Sequence, residues 1–201
     1  WLILYAVIVA ALVAAEFRQI RPAQVILKTL AALGFCYIAI GSGALSSLYG
    51  QLILAALVFC AVGDICLLSR EKPALFQMGM AAFALGHLVY FAAFSAMGLN
   101  VLYGVVGLVL MTPVSLLMYR GLKPHMAADM KVPVAVYHVI ISLMVAAALG
   151  TQNWALIVPA LMFAVSDMFV GRDRFVKPSP LNALMITPLY FGAQALFALS
   201  V

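Results

Sequence analysis

FCAVGDICLLSREKPALFQMGMAAFALGHLVY, residues 59–90, contains two apolar runs on either side of the short charged segment SREKP at 69–73. Apolar runs of this length predict helices that cross a bilayer. The first run carries Asp64 close to its end, and the second carries His87. A carboxylate inside a membrane helix is energetically costly and therefore rare, so Asp64 indicates a functional site.

The whole chain has the same apolar character. Of its 201 residues, 67% are hydrophobic and 8% are charged, whereas soluble domains have about 25% charged residues. We therefore predict an integral membrane protein with a single transmembrane domain over residues 1–201, since no polar stretch is long enough for a further domain. Its three cysteines all lie in apolar runs without a CxxC pair, which is typical of small buried hydrophobic residues.

Eight apolar segments are long enough, or nearly so, to cross a bilayer, which takes about 20 residues in a helix. In lipid a helix satisfies every backbone polar group within the segment. The expected fold class is therefore all-α, a polytopic membrane helix bundle of about eight transmembrane helices. The segments are roughly 1–15, 25–41, 51–68, 74–97, 100–119, 131–149, 153–170 and 180–201. We expect the first to be a short span rather than a cleaved signal peptide.

Positive charge is confined to alternate ends of these segments. The loops at 42–51, 97–100 and 150–153 contain no Lys or Arg. By the positive-inside rule the charged loops are cytoplasmic, and both termini lie on the opposite side. The net charge of +5 thus reflects topology and does not indicate a nucleic-acid partner. The eleven cations are Arg18, Arg21, Lys28, Arg70, Lys72, Arg120, Lys123, Lys131, Arg172, Arg174 and Lys177.

An internal correspondence at an offset of 103 residues relates the two halves of the chain. It aligns Asp64 with Asp167, and both acids lie near the cytoplasmic end of an apolar run. It also pairs Lys28 with Lys131 and His87 with Tyr190. If the correspondence is a true repeat, the fold consists of two parallel four-helix halves related by an axis along the membrane normal.

The two aspartates are the candidate catalytic residues. Two buried acids at matching depth suit general acid and general base work, because burial and mutual repulsion separate their protonation states. A structural alternative is that each closes the helix bundle by pairing with Arg70, Arg174 or Lys28. Further polar residues inside the membrane or at its boundary are candidates for binding or orienting a substrate: Lys28, His87, Tyr90, Tyr137, His138, Tyr190 and Gln194.

Helical spacing sorts these candidates by face. The fourth segment carries one stripe made of Phe76, Gly79, Phe83, His87, Tyr90 and Phe94, which suits either helix packing or a lipid chain. His87 lies 14 residues beyond Pro73, about 21 Å along a helix, whereas Asp64 is about one turn from its loop. This depth argues against contact between His87 and Asp64, and it makes Asp167 the expected partner of Asp64.

Other chemistries have little support in the sequence. A zinc hydrolase site needs three ligands, and we find only two buried histidines and no HExxH motif, so we expect no metal. The GxSxG, Walker and GxGxxG motifs are also missing, which disfavours serine hydrolase and nucleotide chemistry.

The combined motifs resemble the YhhN-like lysoplasmalogenase family over essentially the whole chain. The resemblance is carried by GDICLL at 63–68, GHLVY at 86–90 and FAVSDMFVGRDRF at 163–175, together with Lys28, Phe76, Gly79, Phe83, Tyr137, Tyr190 and Gln194. It implies a membrane hydrolase without a cofactor, which we expect in a bacterial inner membrane. The implied reaction cleaves the vinyl ether bond of lysoplasmalogens, giving a fatty aldehyde and glycerophosphoethanolamine or glycerophosphocholine. The implied partners are a lysophospholipid substrate and the bilayer.

Two other functional classes remain open at this stage, and the sequence sets no oligomeric state. Eight spans with buried carboxylates also suit a proton-coupled transporter of small molecules or lipids. Against this, the polar residues gather toward one side of the membrane. A lipid-binding membrane protein, in which the polar cluster only fixes helix packing, is the third class.

Overall fold

A computed structural model describes residues 1–69 and 72–201. Arg70, expected in a cytoplasmic loop and considered as a partner of Asp64, lies outside the described residues. The described part of the chain is helical throughout, with eight α-helices and no strand. The helices are α1 (Leu2–Phe17), α2 (Arg21–Gly41), α3 (Leu48–Cys66), α4 (Pro73–Ala96), α5 (Val101–Leu122), α6 (Ala128–Gly150), α7 (Trp154–Gly171) and α8 (Pro180–Leu199).

The predicted all-α membrane fold is confirmed. Seven helices, α2 to α8, are long and apolar enough to cross a membrane by length and composition. The first helix, α1, is apolar but has only 16 residues. The predicted segments match the eight helices in order, although α2, α3 and α6 begin three or four residues earlier than expected. The protein is therefore an integral membrane protein.

Local sequence signals set several helix starts. The side chain of Ser47 accepts a hydrogen bond from the backbone N–H of Gly50 at the start of α3. Asn100 and Asn153 cap α5 and α7 in the same way. Proline occupies the first position of α4 and α8, at Pro73 and Pro180, where its missing N–H costs no helical bond. These signals place the charged and polar loops between the membrane helices.

Helix packing follows the same order in the two halves of the chain. The closely packed neighbours are α3 with α4, α5 with α6, and α7 with α8. Between the halves, α4 packs against α6 while α8 packs against α2. The pairs α3–α4 and α7–α8, and the pairs α4–α6 and α8–α2, correspond under the 103-residue offset, whereas the packing of α1 against α8 has no counterpart of similar extent between α5 and α4. The packing brings the ends of α3 and α7, which carry the two aspartates, toward the centre of the bundle.

Glycines allow α3 and α4 to approach closely. A Cβ atom at Gly86 would lie 2.9 Å from Cys60 Sγ and 3.2 Å from the carbonyl oxygen of Ala56. A Cβ atom at Gly63, beside Asp64, would lie 2.7 Å from the Phe83 ring. Small residues at such positions let membrane helices pack backbone to backbone. The close contact holds Asp64 against the aromatic face of α4.

Replacing Gly86 with Leu should lower the stability of the bundle, because the added side chain has to push α3 and α4 apart. We expect a loss of about 1–3 kcal/mol, the usual cost of overpacking, seen as a lower melting temperature in detergent. The matched control is Gly121→Leu in α5, where a Cβ atom meets nothing within 4 Å. Equal melting temperatures for the two variants would show that the α3–α4 contact is not tight.

The inner part of the aromatic stripe on α4 packs in the core. Tyr90 and Phe94 are fully buried, and the Phe197 ring of α8 lies 4.4 Å from the Tyr90 ring and 5.7 Å from the Phe94 ring. At this end of the stripe, Tyr90 and Phe94 therefore serve helix packing. Phe76 and Phe83, nearer the start of α4, instead line a cavity.

Candidate active site

Asp64 is held by two partners from different helices. It lies two residues before the end of α3 and is 2% exposed. Lys28 of α2 places its Nζ atom 3.4 Å from Asp64 Oδ1. Tyr190 of α8 donates a hydrogen bond from its hydroxyl to Asp64 Oδ2 over 2.5 Å. A buried carboxylate with an ammonium and a hydroxyl donor beside it has both of its oxygens engaged.

Asp167 has a different set of partners. Tyr137 of α6 donates its hydroxyl to Asp167 Oδ2 over 2.5 Å. His87 Nε2 lies 3.1 Å from the Tyr137 oxygen and 3.6 Å from Asp167 Oδ2. The Asp167 side chain is 18% exposed, more than that of Asp64. Its described contacts therefore involve a phenol and an imidazole, where Asp64 has an ammonium.

The hydrogen-bond directions assign the tautomer of His87. Because Tyr137 donates its only proton to Asp167, the Tyr137 oxygen accepts a bond from His87 Nε2–H. His87 is fully buried, and its Nδ1 atom has no hydrogen-bond partner among the described residues. A neutral imidazole protonated at Nε2 satisfies this surrounding best, because a buried N–H without a partner is costly. His87 thus supports Tyr137 from the membrane interior.

The partners of the aspartates cross between the two halves of the chain. Asp64 of α3 meets Tyr190 of α8, and Asp167 of α7 meets His87 of α4. The Phe163 ring connects the two groups, lying 4.5 Å from the His87 ring and 5.2 Å from the Tyr190 ring. Of the residues aligned by the 103-residue offset, Asp64 and Asp167, and His87 and Tyr190, therefore occupy corresponding positions in this cluster.

The structure places His87 beside Asp167, a contact that the depth argument did not predict because it set both aspartates at the same shallow depth. A side chain at Gly79 of α4 would meet Leu67 and the Gly63 carbonyl of α3, so the first residues of α4 extend beyond the level of Asp64. His87 lies eight residues further along α4, about 12 Å deeper. At that depth it contacts the carboxylate of the second aspartate.

A cavity of about 110 Å³, which we call the inner cavity, receives both carboxylates. The helices α4, α5, α6 and α7 provide most of its apolar wall. Six of the nine candidate site residues line it: Lys28, Asp64, Tyr137, His138, Asp167 and Tyr190. The two acids therefore face the same apolar space, where a bound molecule can contact both.

Tyr90 and Gln194 lie behind the cavity wall. Tyr90 donates its hydroxyl to Gln194 Oε1 over 2.6 Å, and Gln194 Nε2 donates to the Tyr190 oxygen over 3.1 Å. Tyr190 in turn donates to Asp64. The chain of donors runs in one direction, so the two inner residues fix the Tyr190 hydroxyl toward the carboxylate.

His138 lines the inner cavity without contacting either aspartate. Its Nδ1 atom lies 2.8 Å from the carbonyl oxygen of Val134, one turn earlier in α6. Since a carbonyl can only accept, Nδ1 carries the proton and Nε2 is left as an acceptor. The side chain is therefore fixed by its own helix.

Two features of the site escaped the sequence analysis. Four methionines from α4, α5 and α7 line the inner cavity: Met80, Met111, Met118 and Met168. Methionine fills irregular apolar space and adapts to different ligands. The high Met content, 11 residues in the chain, is a signal for such a surface but does not locate it.

The second such feature is an outer cavity of about 610 Å³, which adjoins the inner one. It is formed by helix ends on the side of the charged loops. Lys28, Phe76 and Arg174 are among the residues that line both cavities. Arg21, Glu16 and Asp173 add charge to the outer wall. These residues are far apart in sequence, so no local pattern predicts that they meet.

Of the ion pairs considered as structural alternatives, the one between Lys28 and Asp64 is present. The Arg174 guanidinium lies over the Phe76 ring, 4.3 Å from its centroid. Within residues 1–69 and 72–201, no three His, Cys, Asp or Glu side chains are grouped to hold a metal ion. The polar groups of the described site are carboxylates, phenols, imidazoles, the Lys28 ammonium and the Arg174 guanidinium.

Comparison with known proteins shows a family match over nearly the whole chain. The model of the YhhN family matches residues 23–201. Human lysoplasmalogenase TMEM86B is 37% identical over 177 residues, which cover 87% of this chain and 72% of the human protein. Pig lysoplasmalogenase TMEM86B is 34% identical, over 76% of this chain and 64% of the pig protein. Cattle lysoplasmalogenase TMEM86A is also 34% identical, over 74% of this chain and 64% of its own length.

The chain thus spans 64% to 72% of the length of these three relatives. No solved structure shows a significant match.

Proposed function

Because the chain belongs to the YhhN family, we propose that it is a membrane enzyme that hydrolyses lysoplasmalogens, as the names of its curated relatives state for them. The observation that carries the proposal is the pair Asp64 and Asp167 facing one apolar cavity. The products are a fatty aldehyde and glycerophosphoethanolamine or glycerophosphocholine.

The chemistry of a vinyl ether explains why two acids suit this reaction. Protonation of the alkene carbon distal to oxygen gives an oxocarbenium ion, and this step requires a positioned acid. Water then adds to the carbon bonded to oxygen, giving a hemiacetal and returning a proton to a base. The hemiacetal collapses to the aldehyde as its hydroxyl returns a proton to the acid and the glycerol oxygen takes up the proton held by the base. The net reaction consumes one water, and the acid and the base return to their starting states.

The contacts of the two carboxyl groups assign their roles within this proposal. Lys28 Nζ lies 3.4 Å from Asp64 Oδ1, where its charge compensates negative charge on that group. Asp64 is therefore the base that directs water and stabilises the cation. Asp167 contacts the Tyr137 phenol and the neutral His87 imidazole, and its side chain is 18% exposed. We propose Asp167 as the acid that transfers a proton to the alkene carbon, because its carboxyl group faces the cavity and is held there by the Tyr137 hydroxyl.

Tyr137 and Tyr190 act as positioning residues in this mechanism. Each donates a hydrogen bond to one carboxyl oxygen over 2.5 Å and leaves the other oxygen for the reaction or for Lys28. His87 and Gln194 support the two tyrosines from behind. Fixed donors of this kind reduce the reorganisation that a transition state requires.

The location of the site relative to the membrane follows the charged loops. Both aspartates lie near helix ends that lead into Lys- and Arg-containing loops, so the positive-inside rule places them toward the cytoplasm. The proposal therefore includes a cytoplasmic-side active site with both termini on the opposite face, in a bacterial inner membrane. The carrier alternative predicts uptake of a solute into proteoliposomes without product formation.

Purified protein should release aldehyde from a lysoplasmalogen and leave the saturated alkyl ether analogue intact, because only the vinyl ether accepts a proton on carbon. In D₂O the aldehyde should carry one deuterium on the carbon next to the carbonyl. In ¹⁸O-labelled water the released glycerol hydroxyl should stay unlabelled. Mass spectrometry of the products measures each outcome. Cleavage of both ethers, or label in the glycerol hydroxyl, would contradict vinyl ether protonation.

A further inference from the structure

The wall of the inner cavity that α5 and α6 form carries three polar side chains, Ser115, Tyr137 and His138. The other residues that these two helices place on the wall are apolar: Met111, Val114, Met118, Leu122, Val134 and Ile141. A polar atom that faces such a space without a hydrogen-bond partner is costly to desolvate. The protons and lone pairs that the three side chains offer therefore determine the kind of group that binds beside them.

His138 offers a lone pair to the cavity. The bond from its Nδ1–H to the carbonyl oxygen of Val134 leaves Nε2 without a proton in the neutral imidazole. Neither Asp64 nor Asp167 forms an ion pair with this ring. Without a carboxylate beside it the imidazole is neutral, because an unpaired charge in an apolar space is costly. Nε2 is therefore an acceptor that faces the ligand space.

Ser115 offers lone pairs in the same way. Ser142, one turn beyond His138 in α6, donates its hydroxyl to the His138 carbonyl oxygen over 2.7 Å. The 2.7 Å contact between the Ser115 and Ser142 hydroxyls is therefore made with the Ser115 proton. Tyr137 likewise donates its proton to Asp167. Ser115 Oγ and His138 Nε2, which we call the acceptor pair, thus have lone pairs and no proton for a ligand.

A ligand that suits the acceptor pair has to bring a proton of its own, on a hydroxyl or an ammonium group. A lysoplasmalogen carries a free hydroxyl on the central glycerol carbon, next to the carbon that bears the vinyl ether. With the vinyl ether at Asp64 and Asp167, this hydroxyl lies in the same cavity as the acceptor pair. The ammonium of an ethanolamine head group lies beyond the phosphodiester. The hydroxyl is thus the donor closest to the reacting bond.

We propose that the acceptor pair binds the free glycerol hydroxyl of a lysophospholipid, with His138 Nε2 as the principal acceptor. The identity of this ligand rests on the proposed function. The pair selects lipids with a hydroxyl on the central glycerol carbon over lipids that are acylated there, because an ester oxygen has no proton to donate. It also fixes the glycerol beside the reacting ether. His138 is thus a specificity-determining residue.

Three saturated ether lipids test the hydroxyl site without any hydrolysis. They are 1-alkyl-glycero-3-phosphocholine, its 2-deoxy analogue and its 2-O-methyl analogue, in which the hydroxyl is present, removed or deprived of its proton. We expect the wild-type protein in detergent micelles to bind the first about 10- to 100-fold more tightly than the other two, measured by calorimetry. The phosphocholine head group has no N–H donor, so this preference reports on the hydroxyl alone.

Variants of His138 separate the acceptor from the bulk of the ring. His138→Phe should bind the three lipids with nearly equal affinity, because a ring is kept and the acceptor is lost. His138→Gln should keep a preference of about tenfold, since an amide oxygen accepts in place of Nε2. Ser115→Ala should reduce the preference by about two- to fivefold, because one of the two acceptors remains.

His125→Phe and Thr112→Ala are the matched controls. His125 is exposed in the segment between α5 and α6. Thr112 is exposed on α5, where its hydroxyl donates to the Leu108 carbonyl oxygen. Neither residue lines a cavity described here. Both controls should keep the wild-type ratio of affinities.

Three outcomes would overturn the hydroxyl site. The first is equal wild-type affinity for the three lipids, or an unchanged ratio in His138→Phe. The second is a preference for phosphoethanolamine over phosphocholine lipids that His138→Phe abolishes while the deoxy ratio stays the same, which would assign the acceptor to an ammonium. The third is a loss of aldehyde release in His138→Phe at an unchanged binding ratio, which would assign the acceptor to the hydrolytic water.

The same preparations separate this proposal from the enzymatic one. A protein that shows the expected preference among the saturated lipids but releases no aldehyde from a lysoplasmalogen would retain the hydroxyl site and refute the proposed reaction. A protein that releases aldehyde but binds the three saturated lipids equally would do the reverse.

Discussion

Asp167→Asn should reduce aldehyde release by about 100- to 10,000-fold, the usual contribution of a general acid. The amide has nearly the shape of the carboxyl group but cannot transfer a proton to carbon. Tyr137, which donates to Asp167 Oδ2 over 2.5 Å, can still donate to the oxygen of the amide. The fold should therefore be preserved. Release of aldehyde from a lysoplasmalogen, followed by a coupled dehydrogenase, measures the loss.

Asp129→Asn is a matched control for Asp167→Asn. Asp129 lies in the first turn of α6, is exposed, and lines neither cavity. The control should keep wild-type activity, and both variants should keep the wild-type elution volume and melting temperature within a few degrees. An Asp167→Asn protein that retains more than half of the activity would exclude Asp167 as the proton donor.

Asp64→Asn should reduce aldehyde release by about 100- to 1,000-fold, because the carboxylate that stabilises the developing cation and directs water is lost. This variant also leaves the Lys28 ammonium without its partner in a largely buried position. Removing one member of a buried pair destabilises a protein by itself. A loss of activity in this variant alone therefore has two explanations.

The double variant Asp64→Asn, Lys28→Met separates these explanations. It removes the ammonium together with the carboxylate, so the melting temperature should return toward the wild-type value. Activity should stay as low as in the single variant, because the carboxylate is still missing. Recovery of activity together with stability would show that Asp64 only closes the helix bundle by pairing with Lys28. Thermal unfolding and aldehyde release on the same preparations measure both outcomes.

The membrane fold could be predicted from the sequence because its causes are local. Each helix satisfies its own backbone hydrogen bonds, so a continuous apolar run such as 74–97 is sufficient to predict α4. The two aspartates also stand out locally, since a carboxylate in such a run has few structural uses. The short first helix and the spacing of the basic loops are also predicted from the local pattern of apolar and charged residues.

The partners of each side chain could not be predicted in this way, because they depend on how helices distant in sequence pack. Residues 64 and 190 meet only because α3 and α8 converge, and residues 87 and 167 because α4 reaches α7. The depth argument separated His87 from Asp64, but the packing of α4 past the end of α3 was needed to place it beside Asp167. The methionine-lined cavity likewise forms only where helices distant in sequence pack together.

The local sequence therefore determined the class of protein and the number of helices, and it identified the two aspartates as candidates. Tertiary packing alone decided the unequal surroundings of those acids. Lys28 and Tyr190 surround Asp64, while Tyr137 and His87 surround Asp167. The physical reason is that helix formation depends on contacts within one segment, whereas the charge state of a buried carboxyl group depends on neighbours from other segments.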